Sequence, residues 1–119
     1  MPEPVFILGG AQTDFARNWS KEGTTVADAL SEVVTAALED ARIDASDVDG
    51  FEVGNFVGEL FTGQGHLGGM VAAIHPDLAG KAGSRHEAAC ASGSMATLSA
   101  LAQIQAGWRD VMIVTGVEQ

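Results

Sequence analysis

Tyrosine is absent from this chain, and cysteine occurs once, at position 90. A single cysteine excludes an intramolecular disulfide. Cations are scarce: six Lys+Arg face 16 Asp+Glu in 119 residues, a formal charge of −10. A nucleic-acid binder needs a basic face to displace counterions from phosphates, so that class is disfavoured. An anionic membrane surface is disfavoured by the same field. A phosphate-bearing substrate meets the same repulsion, so the cations that grip one have to come from elsewhere. No apolar run approaches the roughly 18 residues of a membrane span, and no basic region followed by an apolar run opens the chain. A cytoplasmic protein is the default expectation. Asn18-Trp19-Ser20 matches a glycosylation sequon but carries no weight without a secretory signal.

What is present suits a folded domain. The chain is 46% hydrophobic, and its 18% charged fraction is below the globular average of about 25%. Alanine, valine and glycine dominate the apolar residues, a mix that allows close packing of helix on sheet. The length fits one domain, and neither repeats nor an internal boundary are visible.

The periodicity alternates. Val5-Phe6-Ile7-Leu8 reads as a buried strand ended by Gly9-Gly10. From Thr25, Val26, Ala29, Leu30, Val33, Val34, Ala37, Leu38 and Ala41 recur at helical spacing, with Thr24 or Thr25 as cap and Asp28 in the first turn. A turn over 44–50 leads to a second strand over 51–57. A glycine-rich loop (58–69) and a short helix near 70–74, stopped by His75-Pro76, come next. A third strand is expected over 84–89. Residues 91–107 form a helix that is apolar nearly all round and so reads as buried. Val111-Met112-Ile113-Val114 reads as a strand covered on both faces. The order β-α-β-α-β-α-β predicts a layered α/β/α fold with a mostly parallel sheet. The chain stops five residues after Val114. A strand this apolar is a poor open edge, so a partner chain or a longer polypeptide is expected to cover it.

Cys90 carries the chemistry, at the junction of the third strand and the apolar helix in Glu87-Ala88-Ala89-Cys90-Ala91-Ser92-Gly93-Ser94. Free N–H groups and the positive end of a helix dipole favour a thiolate, and small neighbours leave room for an acyl group. The Cys90 N–H can serve as an oxyanion donor. The competing reading is a small packed hydrophobe. Of the three histidines, His86 lies four extended residues from Cys90, roughly 13 Å, which is beyond hydrogen-bond reach. His66 could fold over the site from the glycine-rich loop, and His75 reads as a surface turn residue. The base is therefore expected outside these residues. The histidine spacings match no metal site.

Gly63-Gln64-Gly65-His66-Leu67-Gly68 satisfies G-x-G-x-x-G, with Glu87 placed as a ribose-binding acid would be, but it lies too far from the preceding strand. A flexible loop is the better reading. Asp14, Arg17 and Trp19 follow the first strand as a solvated loop or a pocket rim. Lys81 and Arg85 are expected to pair with nearby acids.

Glu87-Ala-Ala-Cys90-Ala-Ser-Gly93 resembles the active-cysteine motif of thiolases, particularly the sterol-carrier-protein type. Gly9-Gly10-Ala11-Gln12-Thr13-Asp14-Phe15 resembles the thiolase start, and Val53-Gly54-Asn55 its second strand. Val114-Thr115-Gly116-Val117-Glu118-Gln119 resembles the segment after its fourth strand. The resemblance implies the first four strands and three helices of the first half of a thiolase fold. It implies that Cys90 takes an acyl group from a coenzyme A thioester, for thiolysis or Claisen condensation, and that no cofactor is bound covalently. It also implies a dimer, with the third strand near the contact. The family's activating histidine in Gly-His-Pro, its second cysteine and its coenzyme A loop have no counterparts here, so a second polypeptide is expected to supply them. Ketoacyl and hydroxymethylglutaryl-CoA synthases use a similar cysteine and are the alternative enzymes. A non-catalytic interaction subunit is the alternative outside catalysis.

Overall fold

The computed structural model describes residues 2–119. Its centre is strand β1 (Gly50–Gly54), buried at every position. Strand β2 (Ala82–His86) and strand β3 (Met112–Gly116) flank it, both parallel, in the order β2-β1-β3. Register runs from Gly50 opposite Ala82 and Met112 to Gly54 opposite His86 and Gly116.

Side chains alternate across a strand, so β1 addresses two layers. Phe51 and Val53 join the main core with Val26 and Leu30 of helix α2 (Val26–Ala41; α1 is the single turn Trp19–Glu22), with Leu67 of α4 (Leu67–Met70, after α3, Gly58–Thr62), and with Val48, Val71 and Leu78. Glu52 points to the other layer, where helix α5 (Ser92–Gln105) crosses the sheet. The predicted α/β/α layering is present.

Helix α2 begins where the capping chemistry places it. Thr25 and Asp28 form a reciprocal capping box, and Val26, Ala29, Leu30 and Val34 are buried. At the opposite end of the sheet from Cys90, Asp49 accepts from the N–H groups of Asp110 (2.7 Å) and Val111 (3.0 Å), fixing the start of β3 beside β1.

Four details differ from expectation. Residues 5–8 are not a strand; Phe6, Ile7 and Leu8 are 75%, 93% and 57% exposed. The segment pairs with neither outer edge of the β2-β1-β3 sheet, so the described sheet has three strands, not four. It is tethered at its end: a Cβ on Gly9 would lie 2.7 Å from the Ala41 nitrogen, and the Gly10 N–H donates to Asp40. Helix α5 is buried along one side only, through Ser92, Ala96 and Ala100, while Met95 and Leu98 are exposed. Strand β3 is half-covered, with Val114 38% exposed. The glycine-rich stretch 58–69 holds the short helix α3 and the start of α4, joined by a loop over 63–66. Gly63 ends α3 in the left-handed conformation (φ 74°), and Gly68 packs directly on the β2 backbone, where a Cβ would come within 2.6 Å of Ser84. No helix of the described residues is long and apolar enough to cross a membrane.

Candidate active site

Cys90 is exposed, on a tight turn between β2 and α5. Residues Ala89–Ala91 form one turn of 3₁₀ helix entered at Ala89 with φ 49°, a left-handed conformation that costs a non-glycine residue about 1–2 kcal/mol. Hydrogen bonds hold it there. The Ala88 N–H donates to Ser92 Oγ (2.9 Å), whose hydroxyl donates to the Ala89 carbonyl (2.7 Å). The Ala89 N–H donates to Glu87 Oε2 (2.7 Å), the Ala91 N–H to the Ala88 carbonyl (2.9 Å), and the Ser92 N–H to the Ala89 carbonyl. Among the described residues, Cys90 alone in the run 88–92 has a backbone N–H without an acceptor. No side chain caps α5, so its first turn also presents N–H groups beside the thiol.

The turn rests on β1. A Cβ on Gly54 would lie 2.8 Å from Gly93 Cα and 2.9 Å from the Ser92 carbonyl carbon. Only glycine allows the strand end to support the start of α5 this closely.

None of the histidines hydrogen-bonds to Cys90 among the described residues. His86 Nε2 lies 2.6 Å from Glu52 Oε2 and 3.0 Å from Ser84 Oγ, and the Ser84 hydroxyl donates to the same carboxylate at 2.5 Å. Gln103 of α5 donates to the other Glu52 oxygen. Burial opposes ionisation of Glu52, which is 4% exposed, but the bonds from Ser84, His86 and Gln103 outweigh it and hold the carboxyl below its ordinary range. The cluster is not a Ser-His-acid relay: a relay needs serine and carboxylate on different ring nitrogens, and here both face Nε2. His66 does not reach over the site by a hydrogen bond; its ring packs against Gly69 of its own helix. His75 Nδ1 accepts from the Asp77 N–H in a surface turn, as its sequence context predicts.

A second network lies at the C-terminal ends of β1 and β3. Asn55, 2% exposed, donates to the Val117 carbonyl (2.6 Å) and accepts from the Gly58 N–H. Glu118 accepts from the N–H groups of Phe56 (2.8 Å) and Val57 (2.9 Å). Arg85 donates to Asn55 Oδ1 and to the Phe56 carbonyl (2.8 Å), so its partners are an amide and a backbone oxygen rather than the acids expected. Glu87, the would-be ribose acid, is engaged by the Cys90 turn. Asn55, Glu118, Glu52 and Ser92 were not visible as a set in the sequence. The one signal was polarity out of place, a glutamate and an asparagine within Phe51-Glu52-Val53-Gly54-Asn55.

Asp14, Arg17 and Trp19 lie elsewhere. Arg17 stacks on the Trp19 ring (3.9 Å) and pairs with Glu22 and Glu32. With residues 4–10, α2, α5 and β3 they line an open, largely apolar groove of about 1200 Å³, of which Cys90 is not a lining residue.

The family described as "Thiolase, N-terminal domain" matches residues 5–119. An acetyl-CoA acetyltransferase of Methanocaldococcus jannaschii is 38% identical over 115 residues, covering 97% of this chain and 28% of that protein. The acetyl-CoA acetyltransferase of Methanothermobacter thermautotrophicus is 35% identical, with 97% and 29% covered. "Non-specific lipid-transfer protein-like 2" of Caenorhabditis elegans is 31% identical, with 97% and 26% covered. The chain therefore spans less than a third of the length of these relatives.

Proposed function

From the premise that this chain belongs to the thiolase family, we propose that it is the nucleophile-bearing N-terminal part of an acyltransferase acting on coenzyme A thioesters. The Cys90 thiolate attacks the thioester carbonyl carbon. The carbon–sulfur bond to coenzyme A breaks, coenzyme A leaves as its thiol after taking up a proton, and the acyl group stays on Sγ. Charge that develops on the carbonyl oxygen is met by the Cys90 N–H. The acyl group then passes to coenzyme A in thiolysis or to a second acyl-CoA in condensation.

The observation that carries this reading is an exposed thiol whose own N–H is the one unpaired donor of its turn. An exposed sulfur supports the nucleophile over a small packed hydrophobe. The three histidines are occupied elsewhere or remote in the chain, so the thiol's proton goes to a base on the remainder of the enzyme. That remainder, which the archaeal acetyl-CoA acetyltransferases carry in their additional length, would also grip the polyanionic coenzyme A that a chain of charge −10 repels. It would supply the second cysteine that separates a thiolase from the ketoacyl and hydroxymethylglutaryl-CoA synthases. Pairing of two copies near the open edge of β2 belongs to the same reading.

Cys90→Ala in the complete enzyme is expected to abolish the acetyl adduct seen by intact mass after incubation with acetyl-CoA, with the melting temperature unchanged. Full turnover by that variant would remove Cys90 from the mechanism.

A further inference from the structure

We propose that Ser92 and Glu87 are positioning residues that keep the Cys90 N–H free to donate to the substrate's carbonyl oxygen. The inference rests on the assignment of Cys90 as nucleophile and goes beyond it. The first N–H groups of a helical turn have no partner within it, and in this one four of the five over 88–92 are taken up by a carbonyl or a side chain. Ser92, 5% exposed, spans the turn from inside: its oxygen accepts from Ala88 while its proton goes to the Ala89 carbonyl. Glu87 binds from outside by accepting from the Ala89 N–H. Together they fix the peptide planes on both sides of Ala89 and so hold its φ at 49°. The Ala89 carbonyl is committed to Ser92, and the Cys90 N–H, which lies on the same trans peptide and points the opposite way, is thereby turned away from the chain's own acceptors. Relaxation of Ala89 to a right-handed conformation would rotate that N–H off its direction.

A brace of this kind affects the barrier of acyl transfer rather than substrate affinity. Loss of one oxyanion donor lowers kcat on the order of 10²-fold. In the complete enzyme, Ser92→Ala is expected to lower kcat for acyl-enzyme formation by about that factor with KM unchanged, and Ser92→Thr, which keeps the hydroxyl, to restore most of it. Glu87→Ala, at an exposed position, is expected to lower kcat about tenfold, with Glu87→Gln rescuing because its amide oxygen still accepts. Wild-type kcat in Ser92→Ala and Glu87→Ala, or a loss expressed in KM, overturns the proposal. If Ser92→Ala does not fold, the Glu87 pair decides it by the same criteria. Cys90→Ala separates the two levels: if it is inactive while both brace variants keep full kcat, the brace fails and the nucleophile stands. If Cys90→Ala stays active, the failure is that of the nucleophile.

Discussion

Strand β1 and the segment Val5–Leu8 are both short, yet the less apolar of the two is the best buried part of the molecule and the other is among the most exposed. Phe51 and Val53 have no exposed surface, whereas Ile7 is 93% exposed. Composition alone would favour residues 5–8, since β1 carries Glu52 and two glycines; neighbours decide the outcome. Strand β1 has a hydrogen-bonded partner on each edge and a helical layer on each face, while residues 5–8 have neither and are held only by Gly9 and Gly10 against the end of α2. Apolar character supplies the drive for burial, and a strand takes it up only where backbone partners are open to it.

That contrast can be tested by substitution, beginning where the effect is greatest. Phe51→Ala should cost about 3–5 kcal/mol in urea unfolding, since the ring lies at the centre of the core and against Gly83. A cost under about 1 kcal/mol would show that β1 is not the centre of the fold. Gly54→Ala should cost about 1–3 kcal/mol because the new methyl meets the backbone of Gly93 and Ser92. It should also displace the Cys90 turn, read as a changed rate of iodoacetamide labelling; wild-type stability and labelling would refute the close approach.

Glu52 gives a pH test of the same strand. Its folded carboxyl titrates below the ordinary range, so the stability it contributes is complete above that range and lost as pH falls through the folded value. Asp49, held low by the Val111 and Asp110 N–H groups, acts in the same direction. The urea midpoint should therefore decline on acidification, and Glu52→Gln should flatten part of that decline; an identical acid profile would show the carboxylate is not ionised in the fold. Smallest of all, Ile7→Ser should shift stability of this chain by under about 0.5 kcal/mol. If the same change costs several times more in the complete enzyme, residues 5–8 are buried there, and the contrast with β1 belongs to the separate chain.

Much of the site could be read from residues in line. Cys90 between a strand and an apolar helix, the Thr25–Asp28 cap, the turn before Phe51 and the order of alternating elements are local in sequence, and local geometry decides them. The short helices of the glycine-rich stretch were not legible for a related reason. Its glycines are needed by a distant strand, since Gly68 touches Ser84 and Gly83 lies under Phe51, and no period in the sequence reports such contacts.

The sequence by itself determined the α/β order from Thr25 onward and the family, and it singled out Cys90, because capping, periodicity and motif act over a few residues. Tertiary structure alone decided the rest. It placed Glu118 on the N–H groups of Phe56 and Val57, more than 60 residues away, and brought Glu52 to Ser84, His86 and Gln103. It also left Val5–Leu8 outside the sheet. In each case the outcome depended on competition between segments remote in the chain for a limited number of edges, faces and hydrogen-bond partners, and that competition is settled only when all of them are present together.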